Sequence, residues 1–228
     1  GVWTYAVQLA GSLARYGVAV DLATQGPALS DSQRRDAQSL PNVTLHESDY
    51  RLEWMHDPWE DVQRAGRWLQ QLARTRQPDI IHLNDYSHGA LPWEAPVIVV
   101  GHSCVLSWHR AVRGKPAGPE WNIYRRNVTN GLRGADLIVA PTAAMLAALE
   151  SDYGPILHTS VIPNGRDRVC RSAAAAKQPY VFTAGRLWDE AKNISALDVA
   201  APLISWPAYA AGDVAAPDGG AIQFSALE

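Results

Sequence analysis

The segment 181–197 reads VFTAGRLWDEAKNISAL, in which a short apolar run leads through Gly185 into a polar turn and then into a helical pattern. The run is rich in β-branched and aromatic residues, which favour a strand. Ile194, Leu197 and Val199 follow at roughly helical spacing. The segment therefore predicts a strand, a tight turn and a helix, which is one unit of an α/β fold.

Two cations lie at this predicted turn, Arg186 and Lys192. A helix N-terminus carries unpaired N–H groups and a partial positive charge, and a guanidinium and an ammonium beside it suit a diphosphate. The alternative is that both cations are solvated and paired with the carboxylates of Asp189 and Glu190. The spacing alone leaves both interpretations open.

The same alternation of strands and helices extends over the rest of the chain. It predicts an α/β fold, a doubly wound parallel sheet followed by the start of a second Rossmann-like domain. The predicted strands are 18–24, 43–46, 80–83, 96–100, 137–140, 160–162, 180–184 and a short one around 208–210, and the predicted helices are 2–16, 59–76, 117–133, 142–149 and 190–201. The segment 26–41 is interpreted as a polar loop that can hold a short helix.

The domain organisation follows from where the alternation is interrupted. We predict an N-terminal domain over 1–165, a polar and alanine-rich linker over 166–178, and an incomplete C-terminal domain over 179–228. The chain begins at a strand-to-helix turn with no leading strand, and it ends at Glu228 after a weak loop. We therefore expect truncation at both ends.

Composition excludes several classes of protein. The 228 residues include 20 basic and 23 acidic side chains, and the net charge of -3 argues against a nucleic-acid binder. No membrane-spanning apolar run and no signal peptide is present, and Cys104 and Cys170 form no CxxC motif, which predicts a reduced, cytoplasmic protein. Peripheral membrane contact is compatible with the chain, but no basic amphipathic helix supports it.

The candidate functional residues lie at the carboxyl ends of the predicted strands, where ligands bind in such sheets. His102 could contact a substrate hydroxyl or act as an acid or base, and the alternative is a structural histidine. Asn84 and Asp85 could bind a hydroxyl, although turns and caps are their commoner use. No spacing of ligands predicts a metal site. The strand-end residues are Gly1, Asn84, His102, Thr142, Asn164 and Arg186.

Other residues of interest have simpler structural explanations. Thr142 suits the N-cap of a helix, and the run Pro163-Asn164-Gly165 has the composition of a turn. His82 lies inside a strand and is interpreted as core. Cys104 is interpreted as a buried thiol rather than a nucleophile, since no base is evident near it in sequence.

Taken together in order, several motifs resemble those of the GT-B glycosyltransferases of family 4. The resemblance covers essentially the whole chain, with six motifs in the same order as in that family. The motifs are GVWTYA at 1–6, DIIH at 79–82, His102 at a strand end, ADLIVAPT at 135–142, VIPNG at 161–165, and AGR at 184–186 with Lys192.

The resemblance implies retaining transfer of a sugar from a nucleotide-diphosphate sugar to an acceptor hydroxyl, with neither a cofactor nor an obligatory metal. Arg186 and Lys192 match the family's phosphate-binding pair, and Gly1 matches the glycine loop beside it. His102 matches the cleft histidine that contacts the donor sugar or the acceptor. Asn164 is placed on the donor side, and Asn84 on the acceptor side with His102.

One departure from the family concerns its two glutamates with seven residues between them, which lie beyond Glu228. We therefore expect this chain to be inactive alone. The sequence does not identify the acceptor, and a lipid-linked sugar, a polysaccharide and a small metabolite all stay open. Alternative functions are a non-catalytic or vestigial binding module and a nucleotide-sugar epimerase of GT-B fold. A nicotinamide-dependent dehydrogenase is disfavoured, because no GxGxxG follows a strand.

Overall fold

The computed structural model describes residues 1–166 and 178–214. The chain divides into two compact units, unit 1 from Gly1 to Asp167 and unit 2 from Arg168 to Glu228. Residues 167–177, which make up most of the predicted linker, lie outside the described residues, as does Cys170 within them. The predicted domain boundaries stay a prediction.

In unit 1, strands and helices alternate as the sequence predicts. The helices are α1 (Val2–Leu13), α2 (Asp31–Gln38), α3 (Trp59–Arg76), α4 (Val105–Arg113), α5 (Asn122–Gly134) and α6 (Ala143–Tyr153). The strands are β1 (Val20–Thr24), β2 (Val43–Glu47), β3 (Ile81–Leu83), β4 (Val97–Val100), β5 (Leu137–Ala140) and β6 (Thr159–Val161). Short 3₁₀ helices lie at Ala14–Tyr16, Ser87–Ala90 and Pro119–Trp121.

All strand pairs of unit 1 are parallel. β1 pairs with β2, with Val20 opposite Val43, and a separate four-stranded sheet has the order β3-β4-β5-β6. Parallel neighbours need crossover connections: α2 joins β1 to β2, α4 and α5 join β4 to β5, and α6 joins β5 to β6, whereas the connection from β3 to β4 carries only the 3₁₀ helix Ser87–Ala90. The predicted α/β class with a parallel sheet is confirmed. The carboxyl ends of β3 to β6 lie along one edge of their sheet.

The core of unit 1 lies between the four-stranded sheet and its helices. Continuous apolar strands such as Val97–Val100 are buried on both faces, as expected for a parallel sheet. Complete burial of a side chain of this size stabilises the fold by about 2 kcal/mol. The largest fully buried side chains are Tyr124, Leu106, Ile138, Leu149, Val99 and Val128.

Local signals account for several helix ends. Ser30 and Gln33 form a reciprocal capping box at the start of α2. The Thr142 hydroxyl accepts a hydrogen bond from the backbone N–H of Met145 at 3.1 Å, which confirms its predicted role as the N-cap of α6. Gly17 ends the first helical segment with φ at 71°, a conformation that suits glycine.

Two elements of unit 1 were not predicted. Helix α4 was missed because its nine residues mix tryptophan, histidine and arginine, so that the periodic apolar signal is short; Leu106 and His109 form its buried face. The 3₁₀ helix at Ser87–Ala90 follows β3 and begins with small polar residues. The predicted helix 117–133 is a 3₁₀ turn followed by α5.

Three glycines allow α5 to approach the 3₁₀ helix after β3 unusually closely. A Cβ atom on Gly131 would lie 1.7 Å from the backbone oxygen of Tyr86, and one on Gly89 would lie 2.5 Å from the backbone oxygen of Gly131. Gly134 makes a similar approach to Gly89. No larger residue fits at these contacts, so glycine fixes where the chain after β3 lies.

In the described part of unit 2, β7 (Val181–Ala184) and β8 (Ala208–Ala211) form a parallel pair. The predicted helix 190–201 is interrupted: a 3₁₀ turn at Glu190–Lys192 precedes α7 (Ile194–Ala200), and a second one at Ala201–Leu203 follows it. Asn193 causes the interruption, because its φ of 48° is left-handed. Across the described ranges of both units, no helix is long and apolar enough to cross a membrane.

Candidate active site at the strand ends

The carboxyl ends of β3 and β4 bring two predicted site residues together. Asn84 directly follows β3, and His102 lies two residues beyond β4. The His102 Nε2 atom and the Asn84 Oδ1 atom lie 3.0 Å apart, a hydrogen bond between residues 18 positions apart in the chain. The two side chains therefore meet at one edge of the sheet.

Helix α1 adds an aromatic ring to this pair. The Tyr5 ring packs edge-on against the His102 ring with their centroids 4.6 Å apart, and the Tyr5 hydroxyl lies 3.4 Å from the Nε2 atom of His82. His82 was interpreted as core; it is partly buried and faces this site. Tyr5, His82, Asn84 and His102 are called the histidine cluster below.

The histidine cluster favours neutral imidazoles. Burial lowers the pKa of His102, and the nearby His82 lowers it further. Burial also lowers the pKa of His82, which a hydrogen bond to Asn84 partly opposes. A neutral imidazole has one donor and one acceptor nitrogen, and because Nε2 faces the Asn84 oxygen, the Nδ1 atom of His102 can accept a hydrogen bond from a hydroxyl group near neutral pH.

Gly1 lies at the N-cap of α1, the helix that carries Tyr5. Thr142 and Asn164 are not members of the cluster. The Thr142 side chain is used in capping α6, and Asn164 lies on the exposed backbone that follows β6. The common strand edge therefore unites only some of the residues that the sequence placed there.

A second group of polar side chains lies beneath the turn after β3. Glu53 is only 7% exposed, and its carboxylate accepts hydrogen bonds from the backbone N–H groups of Tyr86 and Ser87 and from the Ser87 hydroxyl. Asp85 and His88 of the same turn lie 2.7 Å apart. We call Glu53, Asp85, Ser87 and His88 the buried charge network.

His88 is an imidazolium in this network. Its Nδ1 atom donates to the Asp85 carboxylate, and its Nε2 atom lies 2.9 Å from the Val62 carbonyl oxygen, which can only accept. Burial opposes the charge, but the Asp85 carboxylate outweighs it and raises the pKa of His88 to about 9. In turn, His88 lowers the pKa of Asp85 against the effect of burial.

Sequence reasoning missed Tyr5, Glu53 and His88. Glu53 has a visible signal, a lone carboxylate within the apolar run LEWM at 52–55. His88 lies one helical turn after Asp85, a spacing that suits an ion pair. The first signal does not name the partners of Glu53, because they lie more than 30 residues away, and the second names Asp85 but not Val62, which lies 26 residues from His88.

The interpretation of Cys104 as a buried thiol is confirmed. It is 3% exposed at the N-cap of α4, and its Sγ atom lies 3.0 Å from the Ser107 hydroxyl and 3.8 Å from an Asp152 carboxylate oxygen. Asp152 also pairs with Arg110. These contacts tie α4 to α6 and give the thiol a structural role.

In unit 2, the predicted phosphate-binding cations lie on the surface. The Arg186 guanidinium pairs with the Asp189 carboxylate at 2.7 Å and stacks over the Trp188 ring at 5.3 Å from its centroid. The other Asp189 carboxylate oxygen caps the backbone N–H of Ala191 at 3.0 Å. Lys192 is exposed. The alternative in which Arg186 pairs with Asp189 is thus present in the structure.

Metal-binding side chains do not gather in the described ranges. Among residues 1–166 and 178–214, no group of three or more His, Cys, Asp or Glu side chains is placed to hold a metal ion.

Comparison with solved structures supports the fold. The chain is similar to the crystal structure of LpCGTa in complex with UDP, with a TM-score of 0.54 and 17% sequence identity. The alignment covers 89% of this chain and 61% of that one, so the chain spans about three fifths of its length. At this identity the likeness establishes the fold alone.

Comparison at the level of sequence identifies the family. A search of curated proteins found no match. The family model described as Glycosyltransferase Family 4 matches residues 1–168, which is most of the chain and includes all of unit 1, the part that carries the histidine cluster. The chain belongs to glycosyltransferase family 4.

Proposed function

We propose that the chain is part of a retaining glycosyltransferase that moves a sugar from a nucleotide-diphosphate sugar to an acceptor hydroxyl. The observation that carries the proposal is the neutral His102, held by Asn84 and Tyr5 at the strand ends of a family 4 chain. Ligands of parallel α/β sheets bind at that edge. The acceptor is proposed to be a sugar or a lipid-linked sugar.

His102 and Asn84 are proposed to bind hydroxyl groups of the donor sugar or the acceptor. A neutral imidazole and an amide supply donors and acceptors without a net charge, which suits an uncharged sugar ring. Because the pKa of His102 is lowered, the ring needs no deprotonation before it accepts a hydrogen bond. His102 is therefore the residue proposed to touch the reacting sugar.

Arg186 and Lys192 are proposed to bind the diphosphate and to stabilise the charge that grows on it as it departs. Such preorganised electrostatic stabilisation commonly makes the largest contribution to catalysis, and here it would need no metal. Arg186 has to exchange the Asp189 carboxylate for a phosphate oxygen. That exchange is inexpensive, because an exposed ion pair contributes only about 0–1 kcal/mol.

Binding of UDP tests this proposal, since the similar structure holds UDP. The full chain is titrated with UDP while amide signals are followed by NMR. We expect the Gly185 and Leu187 signals to shift, and Arg186→Ala to weaken binding at least tenfold. Arg15→Ala, an exposed arginine of unit 1, is the matched control and should leave the affinity unchanged.

The result also separates the alternative functions. Equal UDP affinity in Arg186→Ala and in the native chain would remove the diphosphate role and favour a non-catalytic binding module. A UDP-hexose supplied with acceptor sugars then distinguishes the remaining two, because a transferase forms a new glycoside and an epimerase releases an epimerised sugar nucleotide.

A further inference from the structure

We propose that Glu53 is a positioning residue for His102: its buried carboxylate holds the turn after β3 and so keeps Asn84 in place to orient the His102 ring. Glu53 does not touch the site itself, and nothing in the family resemblance points to it. The inference rests on the proposed function only for the use made of His102.

The first step concerns the hydrogen bonds by which the Glu53 carboxylate holds the turn after β3. Glu53 comes from the segment between β2 and α3, yet its carboxylate reaches the start of the 3₁₀ helix Ser87–Ala90. It accepts hydrogen bonds from the N–H of Tyr86 at 3.1 Å, from the N–H of Ser87 at 2.9 Å and from the Ser87 hydroxyl at 2.6 Å. The first N–H groups of a helix have no partner within it, so Glu53 satisfies donors that would otherwise be buried and unpaired.

The second step is the division of the turn into two halves. The later half is already held, because His88 donates to the Val62 carbonyl oxygen and Gly89 packs against the backbone of Gly131. Glu53 holds the earlier half, which begins two residues after Asn84. Asn84 is thus held between β3 on one side and the Glu53 contacts on the other.

The third step is the effect of Asn84 on the His102 ring. The Asn84 carbonyl oxygen can only accept, so the Nε2 atom of His102, 3.0 Å away, carries the hydrogen. In a neutral ring the Nδ1 atom is then left as the acceptor. A shift of Asn84 would remove this preference and let the two tautomers interconvert.

Charges around Glu53 show that the network has no spare partner for it. Asp85 and His88 of the same turn interact with it electrostatically, as do the phenols of Tyr86 and Tyr124. His88 is already engaged with Asp85 and the Val62 carbonyl oxygen. The Glu53 carboxylate is therefore held by the turn alone, and any change in it is passed to the turn.

The experiment is imidazole NMR of the full chain with ¹⁵N-labelled histidine at about pH 8, where the His102 ring is neutral. Glu53→Gln keeps the size of the side chain but places an NH₂ group against N–H donors. We expect the two ring-nitrogen shifts of His102 to move toward each other as the tautomers mix. Glu47→Gln, a surface carboxylate of β2 paired with Arg34, is the control and should leave them unchanged.

A folded Glu53→Gln chain with native His102 nitrogen shifts would overturn the proposal. The readout needs no sugar transfer, so the proposed function and this inference can fail separately. Lack of UDP binding would count against the function alone, and unchanged ring shifts against the positioning role alone.

If Glu53→Gln does not fold, a pH titration of the native chain decides. Burial, followed by the Asp85 charge, raises the pKa of Glu53 to about 7, above the lowered pKa of His102. We expect the Asn84 side-chain amide to shift with the midpoint of the Glu53 carboxyl carbon. The Asn42 side-chain amide, bonded to the Ala10 and Val18 carbonyls, is the control. If the Asn84 amide signal does not shift at the pH at which Glu53 titrates, the proposal is refuted.

Discussion

The histidine cluster of unit 1 and the Arg186 turn of unit 2 both follow a β-strand, yet they are built differently. In the histidine cluster, partly buried rings pack together and His102 is hydrogen-bonded to the Asn84 amide. The turn after β3 is held by the buried charge network. At the other site an exposed guanidinium pairs with a neighbour three residues away. The first arrangement depends on packing between distant segments, and the second on local electrostatics that solvent screens.

The largest expected effect tests whether packing sets the first site. Gly131→Ala would place a Cβ atom 1.7 Å from the Tyr86 backbone oxygen, and backbone cannot move aside as a flexible side chain can. We expect unit 1 to lose roughly 3 kcal/mol of stability, the upper part of the range for overpacking. Urea unfolding followed by the NMR signals of unit 1 measures the loss.

Gly165→Ala is the control for Gly131→Ala, because a Cβ atom there meets nothing within 4 Å. An equal stability of the two variants would show that α5 and the turn after β3 can separate at little cost. A loss of unit 2 signals at the same urea concentration would show that the two units unfold together, and the contrast between them would then be one of geometry only.

The next effect concerns pH. In the folded chain burial raises the pKa of Glu53 from 4.5 to about 7, and Asp85 outweighs burial to raise that of His88 from 6.5 to about 9. A folded pKa above the unfolded one gives stability that is present below the unfolded pKa and lost as pH rises through the folded one. Below about pH 7 the lowered pKa values of His82 and His102 act in the opposite sense, so we expect the free energy of unfolding of unit 1 to fall by roughly 2 kcal/mol between about pH 7 and about pH 9.

Urea midpoints measured across this pH range check the expectation. Residues 178–214 contain no histidine, so the Arg186 turn should show no matching change. Stability of unit 1 that rises toward pH 9 would have the opposite sign and would show that His88 is not held as an imidazolium.

A smaller effect tests the local nature of the second site. Asp189→Ala removes both the partner of Arg186 and the cap on the Ala191 N–H. We expect a loss of about 1 kcal/mol in that turn, the usual value of a helix cap, seen as about fivefold faster hydrogen exchange at Ala191. Asp213→Ala, exposed in the same unit, is the control. Unchanged exchange at Ala191 would mean that the turn is held by other contacts.

The smallest effect separates the ring of Tyr5 from its hydroxyl. The hydroxyl lies a long 3.4 Å from His82, whereas the ring packs edge-on against His102. Tyr5→Phe keeps the ring and should cost only about 0.5 kcal/mol, with the pKa of His102 still lowered. Histidine NMR titration measures that pKa, and Tyr16→Phe, an exposed tyrosine, is the control. A return of the pKa to its ordinary value would show that the hydroxyl, not the ring, shapes the site.

The sequence by itself determined the order of strands and helices, because apolar periodicity and caps are local signals. The eight strands were found at their places, the strand-end positions of Asn84 and His102 were correct, and Thr142 caps its helix as predicted. Short segments and segments of mixed composition were predicted less well. Helix α4 was missed because its apolar face is short, and the predicted helix 190–201 is interrupted because Asn193 adopts a left-handed backbone conformation.

Tertiary structure alone decided which of these residues meet. Glu53 reaches the turn after β3 from 33 residues away, and Gly131 is needed only because another backbone passes beside it. A buried carboxylate is stable only where donors converge on it, and no local pattern reveals that convergence. Local sequence patterns were enough to locate the strand ends, but only packing between distant segments brought two of them, at Asn84 and His102, together in one site.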